Sequence, residues 1–442
     1  MPRSLLSITD LTTEELLGLF RRGEDAAGDP MEIRKLLSGR LVAGLFWQPA
    51  PRLEAALRAA CARTGASFAS GRDLLGSFPE ADLLEAAEAA GAYADVLVLR
   101  HPLEGAARAA AAAAGIPVLN AGDGAREDPV RAVLALRGLA ARGGEKAPRA
   151  AALCGDLRNN RLAHSLAAGL SSLGTTVLLV PARGAEMPEH RIAGIAGRLG
   201  RQPVRFAARS LKSILDMVDT VVLDPGGAYQ HPLFAGLPEA EEEDRRRARA
   251  AVEAMDLLFV ATPRTEDGGP TPAAAREDGT HGWLRDEGRF VFRPFGRPAG
   301  RAAASGELRG EAAREIPLLA ELLALALGAG GAPGREGETT GAPEGIRCAS
   351  LRCAARRDPR VLPRFLVARR DPLVLECRYC GVSVRPRFAG SRVERLFHPL
   401  ASADVRRVHA GNLVYFASRQ EAEQAGFGAA KRQGPDGAGE GA

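Results

Sequence analysis

Apolar and polar positions follow two rhythms along the first 140 residues. Short unbroken apolar runs such as Leu41–Phe46 read as buried strands. Apolar residues three and four apart read as helices packed on one face. Thr12 and Glu15 stand at capping-box spacing and predict a helix start. Strands are then predicted at Leu41–Phe46, Ala94–Leu99 and Ile116–Asn120, followed respectively by helices at Leu53–Thr64, Gly105–Ala114 and Pro129–Ala141. Strands alternating with helices imply a parallel sheet covered by helices.

A second α/β unit follows. Its strands are predicted at Arg149–Cys154, Thr176–Pro181, Val204–Phe206, Thr220–Leu223, Asp256–Val260 and Phe290–Phe292, with helices at Leu162–Leu173 and, closing the unit, Ile316–Leu327. The acidic-then-basic run Glu241–Arg247 fits a solvated helix face. Pro263–Gly279 reads as a long loop, and Gly328–Gly345 as a Gly/Pro-rich linker. Beyond it come a basic, cysteine-containing segment and a small unit with a strand at Leu413–Phe416. Ser418 and Glu421 there again have capping-box spacing. The expected division is 1–145, 146–327, a linker 328–345, 346–388 and 390–433.

Composition adds bounds. With 442 residues the chain suits about three domains. The formal charge of +5 is small for that length and does not by itself call for nucleic acid. No apolar stretch is long and clean enough to span a membrane, and the start "MPRSLLSITDL" has no extended apolar signal, so a cytoplasmic location is expected.

Arg52, Arg100 and Arg161 fall at strand-to-helix junctions. Such junctions converge on a crevice at one sheet edge, where guanidiniums suit a multiply anionic ligand. Arginine is abundant throughout, so a structural role stays equally open. The turn "QPAPRLE" (Gln48–Glu54) should gather free N–H groups, yet it holds Ala50 and Pro51 where hydroxyls would help an anion. His101 follows a strand and could face a ligand, cap the next helix or fill a gap. Asn120-Ala121-Gly122-Asp123-Gly124 is a turn that would let backbone approach a ligand.

Of six cysteines, Cys61 and Cys154 read as small buried hydrophobes. Cys348-x4-Cys353 and Cys377-x2-Cys380 form two close pairs, a pattern for a tetrahedral Zn2+ site with a structural role. Arg352, Arg356, Arg357, Arg360, Arg364, Arg369 and Arg370 surround them, against Asp358 and Asp371. Docking to an acidic partner or plain solvation is the expectation, rather than nucleic acid.

Four blocks, "LLSITDLTTEEL" (Leu5–Leu16), "DVLVLRHPLEGAARAA" (Asp95–Ala110), "PVLNAGDGAREDPVRAV" (Pro117–Val133) and "GDLRNNRLAHSLA" (Gly155–Ala167), resemble aspartate carbamoyltransferase in the family's order over roughly residues 1–325. The resemblance implies a two-domain aspartate/ornithine carbamoyltransferase-like α/β fold with parallel sheets, plus a small C-terminal zinc-binding domain. It also marks departures. The family's phosphate turn STRTR falls on Ala50-Pro51-Arg52-Leu53-Glu54, keeping only Arg52. HPTQ falls on Asp128-Pro129-Val130-Arg131, so the histidine that polarises the carbamoyl carbonyl becomes Asp128 and the glutamine Arg131. Arg131 could pair with Asp128 and leave a salt bridge in place of a reactive pocket. Arg161 falls on an aspartate-contacting arginine, with His164 and Ser165 following it as in the family. Arg264 is the best placement of another such arginine. The HPLPR loop resembles Arg293–Arg297.

The cysteine segment resembles the zinc domain of the family's regulatory chain, and Leu396–Gln433 resembles the Ada metal-binding domain. In the latter, His398, Ser402, Ala430 and Gln433 fall on the ligand positions and leave no thiolates. These resemblances imply a pseudoenzyme serving as a structural or regulatory subunit. The implied assembly is a homotrimer or larger, with an active transferase or another pyrimidine-pathway enzyme as a partner. The alternative is an active carbamoyltransferase or anion-binding enzyme of altered specificity.

Overall fold

The computed structural model describes residues 3–28, 33–76, 78, 82–142, 147–182, 184–200, 202–205, 217–218, 220–223, 259–262, 291–294, 301–328, 346–370, 373–409 and 412–430. Two units separate along the chain, Met1–Arg335 and Glu336–Ala442.

In the first unit, α1 (Thr13–Gly28) begins at the expected box. The Thr12 hydroxyl accepts from the Glu15 N–H at 3.2 Å, and the Glu15 carboxylate accepts from the Thr12 N–H at 2.9 Å. Then come β1 (Leu41–Phe46), α2 (Pro51–Thr64), β2 (Ser67–Ser70), α3 (Gly71–Leu75), α4 (Leu83–Tyr93), β3 (Val96–His101), α5 (Ala106–Ala114), β4 (Val118–Asp123) and α6 (Pro129–Arg142). The sheet order is β2-β1-β3-β4, all parallel. Every residue of β3 and β4 is buried, as expected of strands covered on both faces.

The second lobe holds β5 (Ala150–Gly155), α7 (Arg161–Ser172), β6 (Thr176–Pro181), α8 (Glu189–Leu199), β7 (Val204–Arg205), β8 (Thr220–Leu223), β9 (Phe259–Thr262), β10 (Val291–Pro294) and α9 (Arg301–Ala326). Its strand order is β10-β9-β8-β5-β6-β7. The expected parallel pairing holds for β7, β6, β5 and β8, while two further strands run the other way: β9 pairs antiparallel with β8, and β10 antiparallel with β9. An apolar run reports that a strand is buried, not which way it points, and antiparallel strands on a parallel sheet are common. Glu241–Arg247 and Pro263–Gly279 lie outside the described residues.

One apolar core joins the lobes. Leu16 and Leu19 of α1, Leu57 of α2, Leu136 of α6, Leu153 of β5, and Leu319 and Leu323 of α9 are all at most 1% exposed. Each such side chain contributes about 2 kcal/mol of transfer free energy. Cys61 belongs to this core and Cys154 is buried at the end of β5; burial pushes the Cys61 thiol up to about 11 and the Cys154 thiol up as well.

In the second unit, a short helix α10 (Ala354–Arg357) precedes the antiparallel strands β11 (Phe365–Arg370), β12 (Leu373–Cys377) and β13 (Ser383–Val384). A further sheet follows: β14 (Phe388–Ser391), β15 (Leu396–Pro399), β16 (Leu413–Phe416) and β17 (Gly428–Ala429), in the order β16-β14-β15-β17. Helix α11 (Arg419–Gln424) lies against it over Phe397, Val414, Phe416, Ala422 and Phe427. Ser418 caps α11 as its position predicts, accepting from the Glu421 N–H at 3.1 Å. The Glu421 carboxylate takes the Ala417 N–H at 2.8 Å, one residue before the cap. No helix among the described residues is long and apolar enough to cross a membrane.

Candidate functional site

The crevice of the first unit is organised by the start of α6. Asp128 precedes Pro129 and acts as its cap: Oδ1 accepts from the Arg131 backbone N–H at 3.2 Å. Its own N–H donates to the Ser165 hydroxyl of α7 at 3.0 Å. The second oxygen, Oδ2, faces three guanidiniums: Arg100 Nη1 at 3.4 Å, Arg161 Nε at 3.7 Å and Arg131 Nη1 at 3.9 Å. The Asp128 side chain is 0% exposed, and Arg100 and Arg161 are themselves buried. Arg100 ends β3, Arg131 lies in the first turn of α6, and Arg161 opens α7, so both lobes contribute.

The NAGDG turn makes this crowding possible. Gly122 has φ +119°, and a Cβ there would stand 2.8 Å from Arg161 Nε and 3.1 Å from Arg100 Nη1. The turn is fixed from within: the Asn120 amide oxygen accepts from the Gly122 N–H at 2.9 Å, and its amide nitrogen donates to Asp123 at 3.1 Å. Asp123 Oδ2 takes the Gly105 N–H at 2.8 Å at the start of α5, and burial pushes its carboxyl up against the pull of Arg126. Arg100 Nη1 also donates to the Ala121 carbonyl at 3.2 Å. Arg161 Nη1 donates to the Gly124 carbonyl at 3.1 Å and to the Gln48 side-chain oxygen at 2.9 Å. Gln48 stands in the turn singled out from sequence, but nothing in its residue type signalled a partner 113 positions away.

That turn forms the N-terminus of α2 without a side-chain cap. Ala50 is the cap residue with no side-chain cap bond, Pro51 sits in the first turn without an N–H, and Leu53 is buried in the core. Glu54 pairs with Arg58 at 2.9 Å along the helix. Arg52 lies half-buried in the first turn. Of the expected convergent arginines, Arg100 and Arg161 meet at Asp128, where Arg131 joins them. Arg264 and the residues after Pro294 in the HPLPR-like stretch lie outside the described residues.

His101 is held by structural contacts, and burial favours its neutral form. Its Nδ1 accepts from the Leu103 N–H at 3.0 Å, Trp47 meets the ring edge-on at 4.7 Å, and burial pushes its pKa down to about 4. Between pH 6.5 and 4 the unfolded chain binds a proton that the folded chain refuses. Stability at this position is therefore full above pH 6.5 and falls as pH drops through that window. His101→Asn keeps an acceptor near the Nδ1 position and removes the titration. It is expected to reduce the stability lost between pH 7 and pH 4 by about 3 kcal/mol. Parallel urea-midpoint profiles for the two proteins would reject this. His164 is fixed between the Arg126 carbonyl at 3.0 Å and the Leu157 carbonyl at 2.8 Å. Burial and Arg191 outweigh those bonds and hold its pKa down to about 4.

In the second unit the four spaced cysteines meet. Cys348, Cys353, Cys377 and Cys380 are buried, and their sulfurs all lie within 4.8 Å of one another. Cys348 and Cys380 Sγ are 3.3 Å apart, and Cys353 and Cys377 Sγ 3.8 Å. A tetrahedral metal with bonds of about 2.3 Å needs sulfurs roughly 3.8 Å apart, so the donor set fits. Two tight turns build it. The Arg356 and Arg357 N–H groups donate to the Cys353 carbonyl at 3.0 Å each, and Gly381, at φ +78°, donates to the Cys377 carbonyl at 2.8 Å. Part of the basic run is committed to the same loop: Arg356 donates to the Cys348 carbonyl at 3.1 Å and Arg357 to the Leu351 carbonyl at 2.7 Å. At the positions resembling Ada ligands, His398 lies 3.5 Å from Asp404, and Ser402 caps a 3-10 turn by accepting from the Asp404 N–H at 3.3 Å.

Comparison with known proteins bears on the first unit. The family profile "Aspartate/ornithine carbamoyltransferase, carbamoyl-P binding domain" matches residues 3–138. The aspartate carbamoyltransferase catalytic subunit of Methanopyrus kandleri is 31% identical over 251 residues, covering 55% of this chain and 77% of that protein. That of Archaeoglobus fulgidus is 31% identical over 268 residues, covering 60% of this chain and 87% of that protein. The Trypanosoma cruzi aspartate transcarbamoylase in complex with phosphate aligns at 26% identity with a TM-score of 0.44, over 49% of this chain and 73% of that chain. With two catalytic subunits above 30% identity matched over more than two thirds of their lengths, the chain belongs to the aspartate carbamoyltransferase catalytic-subunit family.

Proposed function

We propose that this chain is a non-catalytic member of its family, acting as a structural or regulatory subunit of a carbamoyltransferase-type assembly. The observation that carries this is the start of α2. Where family members present STRTR to the phosphate, Ala50, Pro51 and Leu53 offer no hydroxyl, and Glu54 points its charge at Arg58. Carbamoyl transfer works by positioning and charge stabilisation, so lost donors are lost rate. One oxyanion donor is worth roughly 3 kcal/mol, or on the order of 100-fold. Asp128, in the place of the carbonyl-polarising histidine, accepts hydrogen bonds when ionised and cannot supply that donor.

The same reading takes 1–145 and 146–327 as remnants of the carbamoyl-phosphate and aspartate domains, with 328–345 as linker. The four-cysteine module, 346–388, holds structural zinc and resembles the regulatory-chain zinc domain that docks onto catalytic chains. The Ada-like unit, 390–433, keeps a protein-contact role without metal. A cytoplasmic homotrimer or larger assembly follows, with an active transferase or another pyrimidine-pathway enzyme as partner.

The test is calorimetric titration of the full, zinc-loaded chain with carbamoyl phosphate, then a transfer assay with L-aspartate. No binding at millimolar ligand and no carbamoyl aspartate are expected. Turnover would end the non-catalytic reading. Saturable binding lost in Arg52 and Arg100 variants would replace it with an anion-binding enzyme of altered specificity.

A further inference from the structure

We infer that Asp128 is an internal stand-in for a small oxyanion: Arg100, Arg131 and Arg161 form a latent site for a phosphate- or carboxylate-sized anion, and the chain fills it with its own side chain. The inference rests on the non-catalytic reading above and adds what became of the anion site.

The carboxylate performs two separable tasks. Oδ1 caps α6 by accepting from the Arg131 N–H. Capping needs only a neutral acceptor, and asparagine or serine does it as well as aspartate. Oδ2 takes no part in that bond. It stands 3.4, 3.7 and 3.9 Å from guanidiniums carried by three different elements. Guanidiniums do not shed their protons, so burying them together requires an anion at that point. The surroundings suit an anion rather than a proton-transfer group: the Asp128 N–H is tied to Ser165, and Gly122 clears the space into which Arg100 and Arg161 lean. The three cations grip an oxygen of a carboxylate on a short stem, which defines the ligand class as small oxyanions with no required attached group.

Two substitutions separate the tasks. Asp128→Asn keeps the cap and the volume but removes the charge. Asp128→Ser keeps a cap, removes the charge and opens part of the volume of the carboxylate. Each full chain is compared with the wild type by calorimetric titration and thermal melting in inorganic phosphate and in acetate, at ionic strength matched with chloride. Phosphate is expected to bind Asp128→Ser at least about tenfold more tightly than the wild type, the scale of one charge-assisted hydrogen bond, and to gain nothing in Asp128→Asn, whose amide still fills the site. It should also raise the melting temperature of Asp128→Ser but not that of Asp128→Asn or the wild type. Acetate should favour Asp128→Ser over Asp128→Asn, because only the former leaves room for it.

A folded Asp128→Ser chain with wild-type phosphate affinity would overturn the inference. So would an Asp128→Ser chain that fails to fold in phosphate and chloride alike, since a latent site must be refillable from solution. Carbamoyl transfer by the wild type bears only on the non-catalytic reading. The gain of Asp128→Ser over the wild type bears only on Asp128.

Discussion

Stripping the metal from the four-cysteine cluster is expected to unfold the segment around it. Tetrathiolate zinc contributes on the order of 10 kcal/mol of binding free energy that is also folding free energy. Little else holds residues 346–384 together. One short helix, three small strands and the few buried apolar residues among those described, chiefly Ile346, Val361, Phe365, Leu375, Tyr379 and Val384, make a core too thin to stand alone. The two turns bring their thiols to one place, and without a cation four thiols would have to share a space within 4.8 Å. A strong chelator should therefore release one zinc per chain and expose Cys348, Cys353, Cys377 and Cys380 to thiol reagents. Cys61 and Cys154 should stay protected in the other unit's core. Cys377→Ser should abolish stoichiometric zinc and make this segment protease-sensitive. Equal reactivity of the four thiols before and after chelation would show that the cluster holds no metal.

What the sequence carried and what it withheld divide along physical lines. β1, β6, β8 and β16 fall on the predicted residues, because an apolar run bounded by turn residues fixes a buried strand. Ser67–Ser70, Leu83–Tyr93 and Glu189–Leu199 went unread. The first is a short strand of small residues. The two helices carry internal glycines and alanine-rich faces that blur the period, although Asp82 does cap Leu83–Tyr93 by accepting from the Leu84 N–H at 2.9 Å. Strand direction was not legible at all for β9 and β10, since burial has no sign.

The site shows the same division. The cysteine cluster was readable because ligand spacing encodes the turns that close it. The arginine crevice was readable only as a list of junction residues. The Asp128–Arg131 pair, three residues apart in one helix turn, was open to a local reading; that Arg161 reaches the same oxygen, and that Gln48 braces Arg161, depends on how the two lobes meet, which no local window contains.

Gly122→Ala is expected to cost the first unit about 4 kcal/mol. Two terms combine. At φ +119° an L side chain is strained by roughly 1–3 kcal/mol. The new methyl would also stand 2.8 Å from Arg161 Nε, 3.0 Å from Arg161 Cζ and 3.1 Å from Arg100 Nη1. Neither guanidinium can retreat freely: Arg161 is held by Gln48 and the Gly124 carbonyl, Arg100 by the Ala121 carbonyl, and both by Asp128. Gly115→Ala separates the terms, because its φ of +66° carries backbone strain while nothing lies within 4 Å of its Cβ. That control should cost only about 1 kcal/mol. Urea midpoints of the two variants decide the matter. A Gly122→Ala penalty well above the control places both guanidiniums against the glycine turn, whereas equal penalties would mean that the arginines do not pack there. A second arm sharpens the result: in an Arg161→Ala background the Gly122→Ala penalty should shrink, since the closest contacts are gone and only Arg100 remains to be displaced.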